Sequence, residues 1–485
     1  MTKKKIDFKC EYLIIGSGAG GATASKLLTE NGKDVLLIEE GQNFKVNHFR
    51  GSMSKSLLHV WRNSGITPIL SKSSFGFGEG RCLGGGTYIN GGLIWRTPNK
   101  ILELWNRIFE TSEFSSSNLE KYFSKIEETL ELDKYSVEKY HQNRDSIKLD
   151  EIAKKYKIKV ATVPKSINST ADENKLQLGS PALTKNSVLQ KYIYPSLKKG
   201  LRLFTNCKAN KLISSKKKIE YVEVLYNGNK ANIYSNNIIL ACGATQTPMI
   251  LKRSFGNKFL KSEMNVHLNL RVGIKFEEEM FADSGIMFSR QIQEYIDDGV
   301  LIMPTSFSKS SFFSSLAKMD NLELFKISNE LKFYSNFILQ IQSKNHVNIN
   351  NFNNNMLLSY KLNLDDLKKI RKYLIIFLKF MFDLGAVEIF LPLKKNFKIN
   401  KNINWIRHIE ENVIEKNIEM VSVHGMSSAK MGRYRLNNQL FDLNGRSFDF
   451  KNLYCVDSSV LPTSTIESPQ ETIMAIASKI INNIS

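Results

Sequence analysis

Two short stretches far apart in the 485-residue chain carry residue types whose spacing could do chemistry. Near the C-terminus, "VSVHGMSSAKMGR" (421–433) sets His424, one of seven histidines, among small residues. Imidazole is the side chain best suited to exchange a proton near neutral pH. Read alone, however, the stretch fits a hydrogen-bonded histidine filling a turn better than a catalytic one. Near the N-terminus, "GSGAGG" supplies the G-x-G-x-x-G spacing as Gly16, Gly18 and Gly21. Gly16 permits a tight turn, Gly18 lets backbone approach a pyrophosphate, and Gly21 allows close helix–strand packing.

These residues need a βαβ unit to position them, and the surrounding sequence provides one. Tyr12–Ile15 reads as a buried parallel strand, Ala22–Glu30 as a helix closed by Asn31-Gly32, and Val35–Ile38 as the next strand. The helix N-terminus offers free N–H groups and a favourable dipole to phosphates. Glu39, ending the second strand, can accept both ribose hydroxyls and would repel a 2′-phosphate, which disfavours NADP. A third stretch, "GRCLGGGTYINGGLIWRTP" (80–98), concentrates glycines that are entropically costly in a structural loop. They make sense where backbone lies against a flat ring or a phosphate.

Further along, Asn118–Leu130 has helical spacing, and Leu201–Phe204, Tyr221–Tyr226 and Ile238–Ala241 read as strands. From about Met264 to Ile349 the pattern changes to strands and aromatic-rich turns such as "SFSKSSFFSSL". "NINNFNNNM" reads as a hairpin or loop, and Leu364–Leu384 as a helix. A last strand, Asn452–Val456, precedes a helix from about Thr472. Composition is that of a globular protein, with 42% apolar and 24% charged residues. The net charge of +21 is dispersed in short groups, so solvated surface is expected rather than a nucleic-acid partner. Five widely spaced cysteines form no disulfide framework or metal site, which points to a reducing, cytoplasmic setting. No apolar run is long enough for a transmembrane segment.

The glycine-rich loop is also where a family resemblance emerges. Gly85, Gly86, Thr87, Asn90, Gly91 and Arg96 match the "GGxSxxNGxxxxR" loop of the glucose–methanol–choline (GMC) oxidoreductases, and the chain resembles that family over nearly its whole length. "NIILACGATQTPMILKRSFG" resembles the second family signature, and "LYCVDSSVLPTSTIESPQETIMAIA" the last flavin-contacting motif. "WRTP" and the "SxHxMxSxxMG" form are similar to long-chain alcohol oxidases and their bacterial relatives. The resemblance implies an α/β fold: a discontinuous Rossmann-like FAD-binding domain (8–257 and 415–485) with a helical cover at about 118–175. A second, α+β substrate domain (258–414) would be built on an antiparallel sheet.

It further implies FAD held by Gly16, Gly18, Gly21, Glu39, Gly85, Thr87, Asn90, Gly91 and Asp457, with Cys207–Lys211 passing the adenine. Some members tether the flavin through a histidine just before the loop asparagine; Ile89 stands there, so non-covalent FAD is expected. "HGMSSAKMG" aligns with the family's "HxxGTxxMG", which makes His424 the expected base in oxidation of an alcohol. The family's second polar residue, His or Asn, is replaced by Ser468, which either orients the substrate hydroxyl or turns the chain before Pro469. The expected substrate is a small, apolar or amphiphilic alcohol, with oxygen or an electron carrier as acceptor and no metal. A sugar or polyol dehydrogenase and a flavoprotein lyase remain alternatives.

Overall fold

The computed structural model describes residues 6–44, 52–132, 143–167, 185–256, 262–305, 318–352, 355–436 and 438–484, with 307, 312, 313 and 316. Much of the expected helical cover beyond 132 and most of "SFSKSSFFSSL" lie outside the described residues.

One layer is a seven-stranded sheet. Strands β1 (Ile6–Ile15) and β2 (Val35–Ile38) flank helix α1 (Ala19–Glu30). The second sheet later claims β3 (Thr67–Leu70), β4 (Ser74–Phe77) and β5 (Val160–Thr162). Helix α2 (Ser116–Leu130) and helix α3 (Arg144–Tyr156) fall in the region expected to be helical. Strand β6 (Arg202–Phe204) precedes a meander of β7 (Cys207–Ser215), β8 (Lys218–Tyr226) and β9 (Asn229–Leu240). The sheet runs β6-β2-β1-β9 in parallel. Along the far edge of β9, β8 pairs antiparallel with its first residues and the C-terminal strand Leu453–Cys455 pairs parallel with its last three. Tyr12–Ile15 and Val35–Ile38 are buried throughout, so they read as unbroken apolar runs rather than alternations. The strand that the sequence begins at Tyr12 starts at Ile6, because Ile6–Cys10 pair with Ala231–Ser235 and expose Asp7 and Lys9.

The second sheet is built on two long antiparallel strands. After α4 (Gly243–Phe255) come β10 (Glu263–Phe276), β11 (Arg290–Ile292), β12 (Val300–Pro304) and β13 (Tyr334–Phe352). The described part of the Asn-rich stretch is paired as a hairpin, with Asn348–Phe352 of β13 antiparallel to β14 (Asn355–Ser359). Helix α5 (Leu364–Asp383) follows, then β15 (Ala386–Phe390), β16 (Lys398–Asn400), β17 (Glu419–Ser422) and β18 (Gly425–Met426). The sheet therefore also takes strands from residues 67–77, 160–162 and 419–426. The chain closes with helix α6 (Gln470–Asn482), packed beside α1 in the apolar core of the first layer.

Alternation along β10 decides what the second sheet does. Met264, Val266, Leu268, Leu270, Val272, Ile274 and Phe276 point one way, into a core shared with α5. Phe337 of β13 meets Phe377 of α5 at 5.5 Å between ring centroids. Each such side chain stabilises the layer by about 1.5–3 kcal/mol on burial. The odd-numbered residues, among them His267, Asn269 and Arg271, point the other way. That face is enclosed too, and burying polar groups is costly unless they have partners or a ligand.

Candidate active site

A cavity of about 350 Å³ is lined by residues of both sheets, from Glu39 and Lys208 at one end to His424 and Ser468 at the other. At the first end, the turn from β1 to α1 is as tight as its glycines allow. A Cβ on Gly16, whose φ is +104°, would lie 2.3 Å from the Ala241 carbonyl oxygen, and one on Gly21 would lie 1.9 Å from that of Gly16. Over Gly18 the space is open. Gly18 is also the α1 N-cap and places no side chain over the first-turn N–H groups, which remain available to an anion.

Glu39 is buried. Its carboxylate accepts the Ser17 hydroxyl at 2.6 Å, the Ser17 amide at 3.1 Å and the Gly41 amide at 2.9 Å. Burial raises its pKa, and these three donors oppose that rise. Ser17 Oγ also accepts the Gly84 amide at 3.0 Å, so one serine joins the dinucleotide turn to the second glycine loop. In that loop Thr87 Oγ1 donates to the Gly84 carbonyl at 2.8 Å, and Asn90 Nδ2 donates to Gln470 Oε1 at 2.6 Å, at the start of α6. Asp457 accepts the Ser459 and Gly243 amides at 2.7 and 3.0 Å and the Thr247 hydroxyl at 2.6 Å. This ties the last strand to the start of α4.

At the other end stands a pair of histidines. Between Val421, opposite Asn269, and Gly425, opposite Val266, the chain takes four steps against three on β10. His424 sits in that bulge, a device that re-aims a side chain. Its Nδ1 lies 3.0 Å from Nδ1 of His267, whose Nε2 lies 2.6 Å from the Thr465 carbonyl oxygen. A carbonyl only accepts, so His267 carries its proton on Nε2 and presents a lone pair at Nδ1. His424 must then donate from Nδ1, which leaves its Nε2 unprotonated on a ring that lines the cavity. Burial lowers His267 to about 4; burial and the neighbouring His267 lower His424 to about 3. Both rings are neutral at physiological pH.

Comparison with known proteins gives the family. Residues 10–270 and 342–477 match the GMC oxidoreductase family. The chain belongs to that family. An uncharacterised GMC-type oxidoreductase of Sinorhizobium fredii is 23% identical over 98% of this chain and 94% of its own length. A long-chain-alcohol oxidase of Arabidopsis thaliana is 21% identical over 97% of this chain and 67% of its own. In fold, the GMC chain superposes on pyridoxine 4-oxidase from Mesorbium loti with a TM-score of 0.74 at 12% identity, covering 98% and 99% of the two chains. Formate oxidase gives 0.70 at 13% identity over 99% of each.

GMC oxidoreductases are FAD proteins, and the residues present fit that group. The open space over Gly18, the uncapped α1 and the buried Glu39 carboxylate suit a dinucleotide, while Gly85, Thr87, Asn90, Gly91 and Asp457 line the same cavity. Cys207, Lys208 and Ala209 lie at the Glu39 end, with the Cys207 amide donating to the Glu39 carbonyl. Ile89 is buried and lines the cavity with no nucleophile. Arg96 of the loop motif is elsewhere: it pairs with Glu120 and Glu127 of α2 and pins the loop to that helix.

Several residues of the GMC site were not singled out by sequence. His267 is 157 positions from its partner and belongs to no local motif. Lys165 and Lys185, both buried, donate to the carbonyls of Gly91 and Met287, and of Tyr88 and Asn90, clamping the end of the glycine loop. Glu467, beside Ser468, accepts Gln291 Nε2 at 2.8 Å and Gln293 Nε2 at 3.2 Å, and burial pushes it up to about 7. Its only prior signal is a position next to the family's variable site.

Proposed function

We propose that this GMC oxidoreductase oxidises the CH–OH group of a small alcohol to a carbonyl, with His424 as the base. The observation that carries the reading is the hydrogen-bond chain Thr465–His267–His424, which leaves His424 Nε2 as an unprotonated nitrogen on the cavity wall. When bound, the flavin supplies the two-electron acceptor for the hydride. The chain's own residues do the rest. His424 Nε2 accepts the hydroxyl proton as the C–H bond breaks. At that moment the O–H becomes that of a protonated carbonyl, a strong acid, so an imidazole of low proton affinity suffices. His267 holds the tautomer and accepts the Nδ1–H bond that strengthens as His424 gains positive charge.

Ser468 lines the same cavity and can hydrogen-bond the substrate hydroxyl, but serine is no appreciable base. The wall of the cavity carries Asn269, Gln291 and Gln340 of the sheet and Glu467 of the last loop, beside Phe288, Met303 and Ile338. That mixture favours a polar or amphiphilic alcohol over a purely apolar one and lends weight to a polyol-like substrate. The five cysteines are free thiols, which supports a reducing compartment such as the cytoplasm. Among the described residues no helix is long and apolar enough to cross a membrane.

The test is anaerobic. The purified protein should be yellow, and acid denaturation should release the colour into the supernatant, since Ile89 offers no tether. Addition of a reducing alcohol should bleach the visible bands. A flavin that no alcohol bleaches, while the protein still turns over a substrate without net redox change, would mark a lyase instead.

A further inference from the structure

Beneath the expected flavin site, one row of side chains crosses four strands. Arg271 on β10 stands opposite Ile338 on β13, Ile338 opposite Met303 on β12, and the pairing of Ile292 with Ile302 sets Gln291 beside Met303. All four line the cavity. Arg271 stands apart from the other enclosed arginines, of which Arg253 donates to the Asn210 and Ala209 carbonyls. Arg290 is paired with Asp150 at 2.9 Å, and Arg62 with Glu40 and Glu79. For Arg271, no carboxylate among the described residues lies within ion-pair distance, its Nε is buried without a hydrogen-bond partner, and burial alone acts on its pKa. Glu467, a carboxyl of the last loop that lines the same cavity, is held instead by Gln291 and Gln293.

A guanidinium does not escape burial by losing its proton. An unpaired charge withdrawn from water is costly, and a fold tolerates it when a ligand supplies the counter-charge. Asn269 Oδ1 and Gln291 Oε1, on the same floor, are also buried without partners; both are acceptors, so they call for hydroxyl donors on the ligand, and only Arg271 answers a carboxylate. We infer that the substrate carries a carboxylate, held by Arg271 on the β10 floor while its hydroxyl sits at His424. The inference rests on the alcohol-oxidation reading above and narrows its substrate class to hydroxy acids. Arg271 is four residues along the strand from His267, on the same face, which is about 13 Å at Cα. The carboxylate and the reacting carbon are therefore several bonds apart. The planar fork of arginine matches a carboxylate, and one unpaired cation balances a single negative charge better than a phosphate dianion.

The test uses the FAD-loaded protein and needs no turnover. Acetate and benzoate, their neutral amides acetamide and benzamide, and inorganic phosphate are titrated at constant ionic strength, and perturbation of the visible flavin bands is followed. Each carboxylate should bind at least tenfold more tightly than its amide and more tightly than phosphate. Arg271→Gln should erase the carboxylate preference with FAD content unchanged, whereas Arg271→Lys should keep most of it. Equal binding of acid and amide, a preference that survives in Arg271→Gln, phosphate as the tighter anion, or loss of FAD on Arg271→Gln would each overturn the assignment. Failure of the underlying reading is distinct: no alcohol, hydroxy acid or other, would then bleach the bound flavin under anaerobic conditions, whatever the anions do to its bands.

Discussion

Removing His267 is the sharpest perturbation of the proposed base, because it leaves the imidazole of His424 in place. His424→Ala deletes the proton acceptor and should slow flavin reduction by about 10²–10⁴-fold. His267→Ala acts differently. It strands the His424 Nδ1–H without an acceptor, a loss of about 1–3 kcal/mol for a buried donor. The ring escapes by moving its proton to Nε2, the tautomer that cannot accept. The expected slowing is therefore about 5- to 150-fold. His267→Asn, which restores an acceptor oxygen close to the lost Nδ1, should recover part of the loss.

The assay is anaerobic stopped-flow reduction by an alcohol, which isolates the half-reaction in which the base acts. Because His267 works only through His424, the double variant should be no slower than His424→Ala alone. In the wild type, both rings are held neutral to about pH 4. The base then stays competent on acidification and fails only below that value. An inflection near pH 7 would report Glu467, held at about 7, and should vanish in Glu467→Gln. Wild-type rates in His267→Ala, or losses that multiply in the double variant, would refute the relay.

Two further outcomes are expected. Glu39→Ala should weaken FAD retention, and Glu39→Arg should do so more strongly, because the three N–H and O–H donors on this carboxylate would then face a cation; unchanged occupancy in both, measured by absorbance ratio after gel filtration, would contradict the ribose role. Glu471 on α6 is buried, and desolvation, together with the neighbouring Glu127 carboxylate, pushes it up to about 9. The unfolded carboxyl ionises above its ordinary value of 4.5, so stability should be full below that pH and decline towards 9, by at most about 1.4 kcal/mol per pH unit. Thermal melts of Glu471→Gln should exceed wild type by a margin that widens from pH 5 to pH 8.5, and parallel curves would sink the idea.

The nucleotide-binding half was legible because its demands are local. The turn between β1 and α1, the fully buried strands and Glu39 fall within about thirty residues, and each has a steric or electrostatic reason that leaves a mark in residue type. Gly16 and Gly21 meet backbone oxygens that no Cβ could clear, so only glycine fits. The two lysines that clamp the loop left no such mark. Lys165 and Lys185 act through carbonyls, which every residue carries, and nothing in either neighbourhood separates them from the surface lysines of a strongly basic chain.

The other half was hidden by an ambiguity of period. "NVHLNLRV" (265–272) alternates polar and apolar residues, and period two with one polar face ordinarily means a strand with one side in water. Here much of the polar face is enclosed too, since β17 and β18 pair alongside β10 and the last loop of the chain lies over it, with the Thr465 carbonyl on His267 and the Ile466 carbonyl on Gln340. The sequence fixes the alternation but not what the polar face meets, because that depends on pairings between β10 and residues more than 150 positions away. The residue types nevertheless differ from those of a solvated face. A wet strand favours flexible, highly charged side chains, whereas His267, Asn269 and Gln340 are compact groups of fixed hydrogen-bond geometry, and the arginine among them lacks a counter-ion. Such a face gains nothing from water that it could not gain more cheaply with lysine and glutamate. His267 and Gln340 find their partners in His424 and the last loop, whereas Arg271 finds no carboxylate among the described residues, and that is why the proposed substrate contact falls on β10 rather than on the glycine loops.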